Sequence, residues 1–205
     1  MKPRSKMFFY LAMAIFLFMG VYTNQKEGNR IMQKTEKKFS ANYKNVNDSN
    51  FFYHQDTIYY KQAPFTGIQF LLYPNGDTAF LKPFYAGLEE GWIKKWYPNK
   101  QLAEKRYYIS GRKEGQHQAW WSNGHLKFSY QFENDEFNGV NKEWYESGVL
   151  FKLFHYAKGY EEGSQQMFWA NGKVRANYII KNNRRYGLLG TKNCINVADS
   201  IAIER

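Results

Sequence analysis

The sequence predicts an all-β protein: a single curled antiparallel meander sheet of 24-residue β-hairpin repeats, preceded by an N-terminal hydrophobic helix. Three observations predict it. Gly67, Gly91, Gly115, Gly139, Gly163 and Gly187 stand 24 residues apart. Glycine is 16 of 205 residues, so five further glycines falling on a preset frame by chance has odds on the order of a few in a million, and the repeat is real. Two columns rich in aromatics follow the first five frame glycines, at Leu72, Trp96, Trp120, Trp144 and Phe168 and, one residue on, at Tyr73, Tyr97, Trp121, Tyr145 and Trp169. Such side chains favour a pleated, half-buried strand. After a short turn the apolar residues alternate, as in Leu126, Phe128, Tyr130 and Phe132. A period of two is the mark of a strand.

The chain opens with Lys2, Arg4 and Lys6, then runs apolar from Met7 to Tyr22, the layout of an export leader. Those 16 residues reach about 24 Å as a helix. The hydrocarbon core is roughly 30 Å thick, so spanning it takes flanking residues or a thinned bilayer. Behind the run there is no clear A-x-A-like cleavage site, and no Cys stands just after it to accept lipid. Residues 1–23 are read as a signal peptide or an N-terminal membrane anchor, with the repeats outside the cytoplasm because the basic end stays inside.

Residues 24–50 are polar, rich in Lys, Asn and Gln, and lack apolar periodicity. They read as a linker. Aromatics return at Phe51, and Thr57-Ile58-Tyr59-Tyr60 falls in the frame of a second strand, so residues 51–66 are expected to be a degenerate half-repeat that caps the array. Residues 67–187 hold five full hairpins. The first turn of each carries sequences such as Pro74-Asn75-Gly76, Ser122-Asn123-Gly124 and Ala170-Asn171-Gly172, where Asn-Gly is expected to supply the positive φ of a tight hairpin. The second turn closes at Gly87, Gly111, Asp135, Gly159 and Asn183; the two departures from glycine are the residues that best tolerate the left-handed region. Residues 188–205 leave the frame and read as a C-terminal cap or tail.

Five hairpins with strands about 4.8 Å apart would extend on the order of 50 Å. Adjacent residues of a strand face opposite sides. The two aromatic columns are therefore expected on opposite faces, with the sheet curling around one of them.

The pattern Gly-x4-[Trp/Phe]-[Tyr/Trp]-x-[Asn/Ser]-Gly, followed by a short alternating strand and a glycine turn, resembles the bacterial variant of the MORN repeat, known as the YwqK-type antitoxin family. The resemblance covers about residues 50–190. It implies a hairpin scaffold with no fixed chemistry, since repeat scaffolds host many unrelated partners. The family's usual name implies a protein that masks a toxin by direct binding.

The residues themselves point to little chemistry. Cys194 is the single cysteine, so an exported chain would rely on its sheet and not on disulfides. His54, His117, His125 and His155 share no repeat column and show no metal-ligand spacing. Acidic residues gather before the frame glycines, at Glu89-Glu90, Glu114, Asp135-Glu136 and Glu161-Glu162, as solvated turn charges. No phosphate loop, dinucleotide fingerprint or nucleophile elbow occurs. No catalytic residue, metal or cofactor is expected.

The net charge of +11 invites a nucleic-acid reading, but it is spread out. The leader holds +3, residues 24–66 hold +3 (seven basic, four acidic), residues 67–187 hold +5 (17 basic, 12 acidic), and the tail is neutral. A duplex-binding surface concentrates Lys and Arg on one face; here adjacent basic residues, such as Lys94-Lys95 and Arg184-Arg185, come as isolated pairs scattered along the repeats. A basic linker beside an apolar leader fits an anionic lipid or envelope polymer better.

The favoured expectation is a non-catalytic, exported or membrane-anchored repeat protein that binds a protein partner or the envelope or membrane surface, with no nucleic acid and no small-molecule substrate. An antitoxin-type protein is the second expectation, and a cell-wall glycan-binding module the third. The candidate partner-contact aromatics are Trp96, Trp120, Trp144, Tyr97, Trp121, Tyr145 and Trp169, because regularly spaced Trp and Tyr offer large contact area at little entropy cost.

Overall fold

The computed structural model describes residues 42–182 and 184–190. The leader, the helix expected there, most of the polar linker and Cys194 lie outside those residues. Among the described residues there is no helix, only strands and turns. The strands form a 15-stranded sheet and a separate sheet of three.

Each repeat supplies a first strand that starts on or near its frame glycine, at Gly67–Leu72, Gly91–Trp96, Gly115–Trp120, Gly139–Trp144 and Tyr160–Phe168. The second strands are Thr78–Tyr85, Leu102–Ile109, Leu126–Glu133, Leu150–Ala157 and Val174–Lys181. They pair antiparallel in sequence order, and Arg184–Leu188 adds a last strand. Inside the array the frame glycine needs positive φ more than it needs space, whereas at the two ends a Cβ on Gly67 or Gly187 would run into the carbonyls of Asn42 and Asn177. Gly115 has a φ of 67°, yet a Cβ built on it would meet nothing within 4 Å.

The first turn works differently from the expected tight Asn-Gly hairpin. Only the last loop residue has positive φ, at Gly76, Lys100, Gly124, Gly148 and Gly172. Gly76 N–H bonds the Tyr73 carbonyl at 2.9 Å and Tyr73 N–H bonds the Asp77 carbonyl at 2.7 Å, a three-residue loop ending in a bulge. The asparagine acts through its side chain. Asn75 and Asn99 accept the N–H two residues on at 3.1 Å, and Asn123 and Asn171 do so at 3.0 Å. The bulge shifts the register just before Leu72, Trp96, Trp120, Trp144 and Phe168.

The second turn has two consecutive residues at positive φ, as in Ala86-Gly87, Ser110-Gly111, Asn134-Asp135 and Lys158-Gly159, which is the type I′ geometry that matches strand twist. Its N–H reaches back one repeat. Gly111 donates to the Glu89 carbonyl, Asp135 to Lys113 and Gly159 to Phe137, at 2.8 to 3.0 Å.

At the N-terminal end, Gly87 makes the same bond to the Phe65 carbonyl at 2.8 Å, so residue 65 stands in for a preceding repeat. The rest of the expected half-repeat departs from the meander: Phe51–His54, Thr57–Tyr60 and Ala63–Pro64 form the separate three-stranded sheet. It buries Ile58, Phe65 and Phe84 together. The stretch read as linker also contributes, since Tyr43–Asn45 pairs with Gly67–Leu72 and does so in parallel.

Two neighbouring rows of directly opposed residues cross the sheet on opposite faces. One runs unbroken through all twelve strands of the main path: Asn45, Phe70, Leu81, Lys94, Lys105, Gln118, Ser129, Lys142, Leu153, Gln166, Asn177 and Leu188. None of them is acidic. The other reads Leu71, Phe80, Lys95, Glu104, Ala119, Phe128, Glu143, Lys152, Met167 and Ala176. Its charges run plus, minus, two apolar, minus, plus, in mirror order around Ala119 and Phe128.

A candidate binding face with two aromatic clefts

The face of the second row carries the aromatic packing. Rings step across the repeats from Tyr108 to His117 (5.3 Å between centroids), to Phe132 (4.6 Å), to Phe137 (4.7 Å) and to Tyr156 (5.0 Å). Cations lie over this layer: Arg106 over Phe128 at 5.6 Å, Lys113 over Phe132 at 5.4 Å and Lys152 over Phe154 at 4.4 Å. Long basic side chains can cover apolar surface with their stems while the charge stays wet.

At the first-turn end of this face lie two open clefts. One, of about 380 Å³, is lined by Tyr73, Phe80, Trp96, Tyr97, Glu104 and Trp120 among others. The second, of about 460 Å³, is lined by Trp121, Tyr130, Glu143, Trp144, Tyr145 and Phe151 among others. Lys127 and Phe128 belong to both, so the clefts meet along one wall.

Six of the seven aromatics singled out in the sequence therefore come together here. Trp169 is the exception: it lies outside both clefts, half exposed, with the Arg175 guanidinium 4.6 Å above its ring. Nor do the two aromatic columns stay on opposite faces, because Trp96 and Tyr97 line one cleft and Trp144 and Tyr145 the other. The register shift before each of the two tryptophans interrupts the strict alternation on which that expectation rested.

The second column is also structural. Tyr73 Oη donates to the Trp96 carbonyl at 2.7 Å, Tyr97 Oη to Trp120 at 3.0 Å, Trp121 Nε1 to Trp144 at 3.2 Å and Tyr145 Oη to Phe168 at 3.1 Å. Each bond ties one repeat to the next and fixes the ring at the cleft wall. Sequence reasoning missed Phe128, Lys127 and Phe151 as cleft residues. Phe128 was visible as an alternating apolar position, but which of the five repeats would form the shared wall follows only from strand register.

Charge on this face is internally matched. Glu104 lies 3.2 Å from both Lys95 Nζ and Arg106 Nε, and Glu143 lies 3.3 Å from Lys152 Nζ. Tyr130 is held far above the ordinary phenol range, by burial first and then by the Glu143 carboxylate. Burial and the Glu161 charge push Tyr156 up to about 12. Burial holds His117 below its ordinary value, so the ring is neutral and its Nε2–H donates to the Tyr107 carbonyl at 2.7 Å.

The other residues weighed for chemistry fall apart in space or into turns. His54 is exposed, His125 Nδ1 lies 2.8 Å from the Glu146 carbonyl, and His155 Nδ1 lies 2.6 Å from that of Ser164. Glu90 and Glu114 accept the backbone N–H of Ser110 and Asn134, at 2.7 and 3.1 Å, and so cap the second turns. Among the described residues no three His, Cys, Asp or Glu side chains are grouped to hold a metal ion. No described helix is long and apolar enough to cross a membrane.

Compared with known proteins, the chain matches no family model and no curated relative.

Proposed function

We propose that this chain is a non-catalytic scaffold, exported or held at the membrane by residues 1–23, that binds a protein partner or the envelope surface through the cleft face. In this reading the hairpins are a bacterial variant of the MORN repeat, as the glycine-aromatic motif suggests, and the sheet curls towards its aromatic side. One observation carries the proposal: rings from four consecutive repeats, Tyr73, Tyr97, Trp121 and Tyr145, are locked by inter-repeat hydrogen bonds and line two adjoining open clefts. Rigid aromatics of this kind make contact area without a large ordering cost. The matched ion pairs around Phe128 leave its apolar surface as the centre of the patch and put charge at the rim, the usual anatomy of a protein interface.

The test is site-specific photo-crosslinking in the native host. A photoreactive residue placed at Phe151, on the cleft wall, is expected to trap a discrete protein, and one placed at Gln131, on the opposite face, is not. Trapping from Gln131 alone, or from neither site, would overturn the assignment of the face. If the trapped protein is toxic when expressed without this chain, the scaffold acts as an antitoxin.

A further inference from the structure

The face opposite the clefts differs in kind. Its continuous row contains Lys94, Lys105 and Lys142 and no carboxylate. The row beside it on the same face, through Trp92, Tyr107, Gln116, Gln131, Val140 and His155, contains none either. The paired carboxylates of the second row, Glu104 and Glu143, belong to the other side, and on this side Glu133 stands at the end of its strand, beyond both rows, bonded by the Asn138 amide.

Within these two acid-free rows Lys94 and Lys105 stand directly opposite one another on adjacent strands. Like charges so placed are destabilising. No carboxylate lies between them; Lys105 Nζ sits 4.2 Å over the Trp92 ring, and the ring in turn packs on Tyr107 at 5.0 Å. The Trp92 indole N–H has no hydrogen-bond partner among the described residues. Lys105 is held below the ordinary lysine range, by burial and then by the Lys94 charge. A folded chain that keeps two opposed cations, with no counter-charge beside them, has a site suited to an anionic ligand.

The spacing narrows the kind of anion. Lys105 and Lys142 are three strands apart, about 14 Å. Between them lie Gln116, Gln118, Ser129 and Gln131, side chains that both donate and accept hydrogen bonds. That polar centre gains nothing from lipid tails. No arginine stands in either row, and three lysines over about 50 Å of sheet is sparse against a nucleic-acid duplex, which carries a charge every 1.7 Å or so. Widely spaced cations, amides between them and a half-buried indole and phenol match a linear chain of hydroxylated rings that bears an occasional acidic group.

We propose that this face binds a linear acidic polysaccharide, with Lys94, Lys105 and Lys142 on its carboxylates, the glutamines on its hydroxyls and Trp92 against a sugar ring. The site shares the sheet with the proposed protein-binding face but none of its side chains, so the two readings fail separately.

The experiment is titration of polygalacturonate into the purified full-length chain at low salt, with neutral dextran, poly-dT and phosphatidylglycerol vesicles in parallel. Polygalacturonate is expected to bind and dextran not to, with affinity falling as salt rises. The Lys94→Gln/Lys105→Gln double variant should bind at least about tenfold more weakly and melt at a higher temperature than the parent, because the opposed charges are gone. Lys142→Gln, which relieves no such opposition, should weaken binding with an unchanged melting temperature. Phe128→Ala, in the clefts, should bind polygalacturonate as the parent does. Equal affinity in the double variant, no binding of polygalacturonate, or tighter binding of poly-dT or of vesicles would overturn the proposal.

Discussion

Gln165 holds the backbone of His155 from both sides, accepting its N–H at 3.0 Å and donating to its carbonyl at 2.9 Å. Asn141 accepts the Gln131 N–H at 2.7 Å, and His117 donates to the Tyr107 carbonyl at 2.7 Å. All three sit two residues after a frame glycine and reach ten residues back, next to the point where the pairing between hairpins stops or, at Phe154–Tyr156, shifts register. The second repeat has Ile93 at this position, and ten residues before it stands Pro83, which has no N–H to satisfy. The apolar side chain and the missing donor go together.

Gln165→Leu removes both contacts, and the amide's further bond to the Glu162 carbonyl at 3.1 Å, while keeping the volume. It should lower stability by about 1–3 kcal/mol, the usual result of leaving shielded backbone groups unpaired. Ile93→Leu, at the equivalent position, should change it by less than about 1.5 kcal/mol. Urea unfolding of both variants decides; equal losses would mean that the polar column packs and does not bond.

The same column makes the fold acid-sensitive at one residue. Burial depresses the His117 pKa below its ordinary value of 6.5. As pH falls below that value the unfolded chain takes up a proton that the folded chain resists. The unfolded state then binds more protons, so stability drops with pH. His117→Gln, the residue type the fifth repeat uses, should flatten that part of the curve when melting temperatures are compared at roughly pH 8 and pH 5. A variant curve parallel to the parent's would remove His117 from the account.

At the alkaline end the sign reverses. Tyr156 is pushed up to about 12 and Tyr130 further, so above the ordinary phenol value of 10.0 the unfolded chain loses protons that the folded chain keeps. Stability should fall as pH rises from 10 towards 12. Tyr156→Phe should soften that fall, read from circular dichroism against pH.

The 24-residue period, the all-β class and the positions of both turns were legible because a glycine at positive φ and a period-two apolar pattern each leave a mark on single residues. Three things were not. The turn chemistry at Asn75 and Asn123 looked like a tight Asn-Gly hairpin, since side-chain capping and positive φ favour the same residues. The sharing of a cleft by Trp96 and Tyr97 depends on a bulge that the sequence does not announce. The separation of an acid-bearing row from an acid-free one appears only once Lys94, Lys105, Gln118 and Lys142 are set in register, because along the chain they sit among Lys95, Glu104 and Glu143.

The turns can be tested in opposite directions. Gly124 has a φ of 89°, and a Cβ there would meet only the end of the Gln101 side chain, at 3.5 Å. Gly124→Val should therefore cost about 1–2 kcal/mol through the backbone and not through a clash. Lys100 fills the equivalent position of the second repeat at a φ of 67°. Lys100→Gly should stabilise the protein by up to about 1 kcal/mol, because the exposed Lys100–Asp77 pair at 3.1 Å is worth little in return. Thermal melts that moved in the same direction for both would contradict the turn geometry.

The ties between repeats predict where the array loosens. Tyr97→Phe keeps the ring in its cleft and deletes only the bond to the Trp120 carbonyl. The expected loss is about 0.5–1.5 kcal/mol. In a repeat array, stability sums over units and their nearest-neighbour interfaces, so the loss should be local. Amide exchange should quicken in the first turns of the second and third repeats, around Lys100 and Gly124, and hold steady around Gly172, whose turn residue Trp169 has no such bond among the described residues. Crosslinking from Phe151 should persist, since the second cleft is intact. Uniformly faster exchange along the whole sheet would show that the hairpins fold as one block and that the tyrosine ties do not mark its seams.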